Sequence, residues 1–455
     1  MKTRNPKISP PQVAPCPDKR VTEIRRYKLI TPLFGGGVKA QQADPITIIR
    51  GASVRGQLRF WWRATRGGQF NGDLNKLRAR ENAIWGSATK KGDKDTGPSK
   101  VKIVIRDSTS GVEDRPFEVV ANKNGKPTPR PRSGSAAPPY AAFPLQPERE
   151  NAIINMDTPT VRTGIEFTME ISYPQEEGQN VRAALWAWET FGGIGGRTRR
   201  GFGALQLVEY SINGEKQSIT LAQVKQMDTE LREQLKTHIV KGEWHKNVPH
   251  LTDTLRMEII SKGASSPQQA WKDLIGRFQK FRQQAARVDK ETGEPKDQGL
   301  SVWPEANALR SRLKKNLKWS KNVTDPKLVD KFPRAAFGLP LPFHMPHDGI
   351  PHRENKTFTL QGGKLDPKDD KSYERLASRL ILKPLAGANN QYVGLAAVLS
   401  GPEVPPTGLQ IKENLTNQKP VKSNLDKAEV SSEPLNRILH GQPDVIEAFL
   451  EYLKQ

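Results

Sequence analysis

Two hydrophobic periods take turns along the first half of the chain. Residues 25–34 (RRYKLITPLF) carry alternating and β-branched character and stop at Gly35-Gly36-Gly37, which predicts a strand opening into a loop. From 54 the spacing becomes helical: Val54, Leu58, Trp61, Trp62 and Thr65 share one arc. Ser53 is the predicted N-cap, and Gly67-Gly68 the predicted end. A short helix over LNKLRARENAIWG follows, then strands at 101–107 (VKIVIRD) and 165–173 (IEFTMEISY), a helix at 181–192 (VRAALWAWETFG) and a strand at 204–210 (ALQLVEY). Strand, helix, strand, strand, helix, strand is the split order of an α+β, ferredoxin-like (RRM-like) sheet with its helices on one face. Residues 107–160, notably NKNGKPTPRPRSGSAAPP, keep neither period and predict a long insertion.

The second half keeps the same two signals in less readable order. A strand is predicted at 254–263, then a helix whose apolar face is Trp271, Leu274, Phe278, Phe281 and Ala285. AAFGLPLPF, KTFTL, RLILKP and YVGLAAVLS predict later strands, and PDVIEAFLEYLKQ a closing helix opened by Pro443. A chain of 455 residues exceeds one ordinary core. The expected division is a flexible leader (1–20), a first RRM-like domain (21–215, insertion 107–160) and a second α+β RRM-like domain (216–455).

Charge narrows the class of partner. Lysine and arginine number 72 against 49 aspartates and glutamates, a formal net charge of +23, which favours polyanions. The absence of an apolar run near ~20 residues argues against a membrane span, no membrane partner is expected, and the polar, proline-rich start argues against a secretory signal. Cys16 is the single cysteine, so an internal disulfide or cysteine metal site is excluded and a reducing, cytoplasmic setting is expected.

The densest basic signal is RGASVRGQLRFWWRATR, with Arg50, Arg55, Arg59, Arg63 and Arg66 and no acidic residue. On a helix, Arg55, Arg59, Arg63 and Arg66 fall within an arc of roughly 80°, beside the apolar arc. Arginine forks bond phosphate oxygens in pairs, and Gly51 and Gly56 allow close backbone approach near a helix start. A solvated basic face above an ordinary core is the alternative. Phe60 lies off the core arc. The second signal is GIGGRTRRGFG, in which Gly193-Ile194-Gly195 and Gly201-Phe202-Gly203 enclose Gly196, Arg197, Arg199 and Arg200. It is neither a dinucleotide fingerprint nor a P-loop, and it suits a clasp on a sugar-phosphate chain.

The Gly-hydrophobic-Gly pair around a basic stretch resembles the glycine-rich loop of the RAMP superfamily of CRISPR proteins. TPLFGGG, IRGASVRGQLRFWWRATRG and ENAIWGSA are similar to the N-terminal signature of a subunit family of type III-B (Cmr) effector complexes. AAFGLPLPF and LASRLILKPL resemble its C-terminal segments, with Arg379 where proline is expected and no second glycine loop. The resemblance implies two RRM-like domains in a structural, non-catalytic subunit for antiviral defence. Its implied partners are guide (CRISPR) RNA, target RNA and other RAMP subunits of the Cmr complex, with contact to the 3′ part of the guide or the guide–target duplex. By that likeness Ser53, Arg55 and Gly56 match the helix-start motif and residues 193–203 the loop; no cofactor is implied.

Catalysis has few candidates. All seven histidines (His238, His245, His250, His344, His347, His352, His440) follow the glycine loop, and the prolines of FHMPHDGIPHR argue against a helical metal face. Asp44 is the sharper candidate, because related RAMP backbone subunits carry a metal-dependent cleaving aspartate in the equivalent loop. A ribonuclease acting through Asp44 is therefore the alternative function, against a plain turn residue before Pro45.

Overall fold

A computed structural model describes residues 19–37, 42–44, 46–88, 97–147, 149–150, 153–154, 159–284, 301–312, 329–345, 356–363, 375–412 and 421–455. The leader lies outside this set except for its last two positions, where β1 (Arg20–Leu29) already begins. β1 turns Glu23, Arg25, Tyr27 and Leu29 inward and Ile24, Arg26 and Lys28 outward, the period-two pattern of a half-buried strand.

The strands β2 (Lys102–Ser108), β3 (Glu166–Pro174) and β4 (Leu205–Ile212) join it in the antiparallel order β4-β1-β3-β2, with a short β5 (Glu215–Gln217) on the outer edge. Tyr27 pairs with Phe167 on one side and Leu207 on the other, and Ile103 with Ile171, so their alternation lines up across the sheet. α1 (Gly51–Arg66) and α3 (Gly178–Phe191) cover the inner face with Val54, Leu58, Trp61, Trp62, Val181, Trp188 and Phe191, all buried. α2 (Leu74–Trp85) starts on Asp73, whose carboxylate accepts from the amides of Asn75 and Lys76.

Two end signals act differently from expectation. α1 is preceded by Arg50 as its cap residue, and Ser53 lies inside the first turn, its amide donating to Arg50 O at 3.0 Å. Gly67 and Gly68 continue into a 3₁₀ turn, and their missing side chains admit Trp244, whose indole would lie 2.8 and 2.4 Å from the added Cβ atoms. Their purpose is close packing, not helix termination.

The second half is built around β6 (Met257–Ala264), α5 (Pro267–Arg282), β9 (Leu380–Ala386) and β10 (Tyr392–Val398), with sheet order β6-β10-β9. A separate small sheet joins β7 (Leu341–Met345), β8 (Lys356–Gly362) and β11 (Leu409–Lys412). AAFGLPLPF is thus not one strand: Pro333–Phe337 forms a 3₁₀ turn and β7 begins at Leu341. The closing helix α6 (Val445–Leu453) is capped by Asp444, whose carboxylate accepts from Ile446 and Glu447, rather than opened by Pro443. On α5, Trp271, Leu274, Phe278 and Phe281 are buried as predicted; Ala285 lies outside the described residues.

The larger sheet of the second half is a shared wall. Ile381, Val393, Leu395 and Ala397 join the core of the first sheet, together with Leu231 and Leu235 of α4 (Met227–His238). Leu380, Leu382, Ala396 and Val398 face a second core built by α5 and α6. The insertion also enters that second core, through Phe117, Ala137, Ala141, Ala142 and Leu145. It pairs its own strands, Phe117–Ala121 with Pro127–Pro131, and Val112–Asp114 with Val161–Thr163. The predicted loop stretch is therefore tied to the second half by burial.

Candidate functional site

Three segments singled out in the sequence meet at one end of the first sheet, past the last residue of its central strand β1. The loop 193–203 folds back on the end of β1: Gly196 N donates to Phe34 O at 2.7 Å, Gly203 N to Pro32 O at 2.9 Å, and Ile194 N to Gly203 O at 3.0 Å. Trp188 of α3 anchors its entry by donating Nε1–H to Gly193 O at 2.9 Å. Gly203 has φ +59, and a Cβ there would lie 1.9 Å from Ile194 O, so only glycine closes this loop. Gly36 packs against Gly195, and Arg50 donates its guanidinium to Gly36 O. The N-terminus of α1, the Gly35–Gly37 turn and the glycine loop thereby form one continuous surface.

The arginines of α1 do not act alike. Arg59 Nε and Arg63 Nη1 each lie 2.6 Å from Glu81 Oε1, a carboxylate buried on α2, and Arg59 also donates to Gly86 O at 2.9 Å. The expectation that the stripe lacks acidic partners fails for these two, because the partner comes from another helix. Arg66 is partly buried and reaches only His238 O at 3.5 Å; burial holds its guanidinium below the ordinary range. Arg55 is exposed and has no hydrogen bond or ion pair among the described residues. Ser53 and Gly56 are exposed beside it, and a Cβ on Gly56 would meet nothing within 4 Å. Phe60 is partly buried, edge-on to Trp61, with the Arg199 guanidinium 5.7 Å above its ring.

The arginines of the loop are committed mainly to backbone. Arg200 donates to Phe337 O at 2.7 Å and Leu380 O at 3.0 Å, and its own carbonyl accepts from Trp271 Nε1 at 2.7 Å. Arg199 donates to Ser378 O, and Arg197 Nε to Ala141 O at 2.9 Å. None of the three has a carboxylate partner among the described residues. Burial, with repulsion from neighbouring guanidinium groups at Arg200, draws Arg200 down to about 9, while burial draws Arg199 to about 10. All three stay cationic at neutral pH.

Lys383 was not among the residues singled out by charge or motif. Fully buried on β9, it donates to Glu189 O and Gly192 O, both at 2.9 Å, and so caps the C-terminal end of α3. Burial pushes its ammonium down to about 7, partly offset by Glu189. Glu189 in turn accepts from Tyr27 Oη at 2.6 Å and Arg25 at 3.0 Å. A lysine in an otherwise apolar strand, RLILKP, was the one available hint.

Asp44 is half-buried and accepts from the amides of Thr47 at 2.7 Å and Ile46 at 2.9 Å, bonds that hold its carboxyl below the usual range. This is the geometry of an Asx turn. Among the described residues no group of three or more His, Cys, Asp or Glu could hold a metal ion. His238 stacks on Trp186 and is pushed down to about 4 by burial and by Arg66 and Arg182; His250 stacks on Trp244. His347 and His352 lie outside the described residues.

With an antiparallel sheet, two covering helices and a Gly-hydrophobic-Gly loop closing on the first strand, the class likeness is to the RAMP superfamily, whose family model matches residues 26–206. Two more particular likenesses are to subunits from Pyrococcus furiosus. The CRISPR system Cmr subunit Cmr1-2 is 27% identical over 184 residues, 39% of this chain and 90% of that relative. Cmr subunit Cmr1-1 is 27% identical over 164 residues, 36% of this chain and 41% of that relative, so the match spans under half the length of the latter. Among solved structures, apo Cmr1 from Pyrococcus furiosus aligns at 15% identity and TM-score 0.44, over 85% of this chain and 89% of its own. A chain of type III-B Cmr-beta bound to cognate target RNA aligns at 12% and TM-score 0.45, over 85% and 97%. No described helix is long and apolar enough to cross a membrane.

Proposed function

We propose that this chain is a structural, RNA-binding subunit of a type III-B CRISPR effector complex in the cytoplasm, serving antiviral defence. In this reading it contacts the 3′ part of the guide RNA or the guide–target duplex, beside other RAMP subunits, and cleaves nothing itself. The reading takes both halves as RRM-like, with β6, α5, β9 and β10 supplying three strands and one helix of that plan in the second. One observation carries the reading: the N-terminus of α1, the Gly35–Gly37 turn and the glycine loop converge, leaving Arg55, Ser53 and Gly56 open beside Arg50. Among the described residues Arg55 has no carboxylate partner, and it lies next to backbone that a phosphate can approach closely. Base pairing in the RNA supplies sequence, and the protein reads shape and charge.

Arg55→Ala should weaken binding of single-stranded RNA without lowering thermal stability. It should also reduce the slope of log affinity against log salt by roughly 0.7, the value for one phosphate on a single strand. A folded Arg55→Ala protein with unchanged affinity and slope would sink the reading.

A further inference from the structure

The insertion displays one feature that the α1 surface does not use. Its 3₁₀ turn Phe143–Leu145 buries Leu145 completely and leaves Phe143 50% exposed. Among the described residues Phe143 is the only aromatic side chain left exposed. The support beneath it is firm: Ala141, Ala142 and Leu145 pack with Phe278 and Phe281 in the second core, and Ala142 N donates to Pro138 O at 3.0 Å. The ring is held out on fixed backbone, at the hydration cost of an apolar surface left in water.

A cation of the glycine loop reaches the same turn. Arg197 Nε donates to Ala141 O at 2.9 Å, two residues before Phe143, and its remaining amino groups bond nothing among the described residues. Arg197 has φ +54, whereas the other left-handed positions of the loop, Gly195, Gly201 and Gly203, are all glycine. A side chain kept where glycine is easier marks a guanidinium wanted at that place. From α5, Arg282 donates to Tyr140 Oη at 2.7 Å, and its buried Nε has no partner among the described residues. Burial and the nearby Arg282 hold Arg197 below its ordinary range, a condition that a bound anion relieves.

We infer that Phe143 and Arg197 form a subsite for one nucleotide of single-stranded RNA, the ring stacking on the base and the guanidinium taking its phosphate. The inference rests on the RNA-binding reading above and extends it from α1 to the insertion. An exposed ring on the turn whose Ala141 carbonyl is held by a guanidinium with no carboxylate partner among the described residues suits a base and its phosphate, since every base offers a π-face and the guanidinium can take an anion. Arg282 acts as a positioning residue that fixes Tyr140 beneath the turn.

The test uses the full chain with a labelled oligouridylate and an abasic strand of equal length, read by fluorescence anisotropy. Phe143→Ala should weaken oligouridylate binding on the order of tenfold and leave the abasic strand unaffected, while Phe143→Trp restores binding. Arg197→Gln should weaken both strands and lower the salt slope by roughly 0.7. Unchanged oligouridylate affinity in Phe143→Ala, with Arg55→Ala still impaired, overturns the subsite and leaves the RNA reading standing. Loss of co-assembly with a neighbouring subunit at unchanged RNA affinity assigns the ring to a protein contact and also overturns it. If the parent chain binds neither strand, both readings fall.

Discussion

Glu81 offers a quantitative way to separate arginines that hold the fold from arginines free to hold RNA. Its side chain is 7% exposed, and one oxygen receives both Arg59 Nε and Arg63 Nη1 at 2.6 Å. A charge-assisted bond is worth about 1.5–3 kcal/mol, and with 30% and 33% of the arginine side chains exposed to screening solvent, about 1 kcal/mol remains for each. Each single replacement leaves Glu81 one cation. Arg59→Ala should cost slightly more than Arg63→Ala, because Gly86 O loses its donor as well. The double replacement leaves a buried carboxylate with no counter-charge, a situation that costs about 3 kcal/mol or more. It should therefore exceed the sum of the singles by about 1 kcal/mol. Urea denaturation followed by tryptophan fluorescence reads this directly, since Trp61, Trp62 and Trp85 are buried in the same core. Singles that leave stability untouched while weakening RNA binding, or a double that merely adds, would refute the reasoning and restore the two arginines to the RNA surface.

Two glycines should respond in opposite ways. Gly203→Ala forces a Cβ within 1.9 Å of a carbonyl at positive φ and should cost at least about 3 kcal/mol, seen as a collapse of the melting temperature. Gly56→Ala meets nothing and sits in a helix, so it should stabilise the protein by about 0.5–1 kcal/mol while weakening RNA binding, checked by melting and anisotropy together. Lys383 predicts a pH dependence. Its ammonium is drawn down to about 7 in the folded protein against about 10.4 in an unfolded chain, so above pH 7 the unfolded state holds the extra proton. Stability should then rise from about pH 7 to 9 by up to about 1.4 kcal/mol per unit, and Lys383→Met, compared by denaturation across that range, should flatten the rise. An unchanged slope in that variant would count against a buried, titrating lysine.

The first sheet was legible because local period and burial agree: Val54, Leu58, Trp61, Trp62 and Thr65 pointed inward in the sequence and are buried in the structure. The glycine loop was legible for a related reason, since positive φ and close backbone approach leave glycine as the only residue type that fits. Three things were hidden. Ser53 looked like a cap because a hydroxyl precedes the apolar run, yet the helix starts at Gly51, before the apolar period announces it. Gly67 and Gly68 looked like a stop, and their reason, Trp244, lies far along the chain. The partner of Arg59 and Arg63 was invisible because Glu81 sits on a different helix, and only packing brings the two helices together.

The loop arginines show why an unpaired charge in a sequence is ambiguous. An arginine without a nearby carboxylate has two ways to satisfy its five donors: phosphate oxygens, or carbonyls left over where other elements end. Arg200 takes the second way, bonding Phe337 O at the end of a 3₁₀ turn and Leu380 O at the start of β9. Arg199 does the same at Ser378, and Lys383 answers from the other side by capping α3. These cations fasten the two halves across a shared wall. On the reading proposed above, RNA contact falls to cations such as Arg55 on α1 and the amino groups of Arg197, whose donors bond nothing among the described residues. Because Arg197 and Arg200 share one short loop, an RNA strand held by the former pulls on the same backbone that joins the halves, so occupancy of the RNA surface should tighten the joint. Slower hydrogen exchange at Leu380 and Leu382 on adding RNA to the full chain is the measurable consequence, and exchange unaltered by saturating RNA would show the two uses of the loop to be independent.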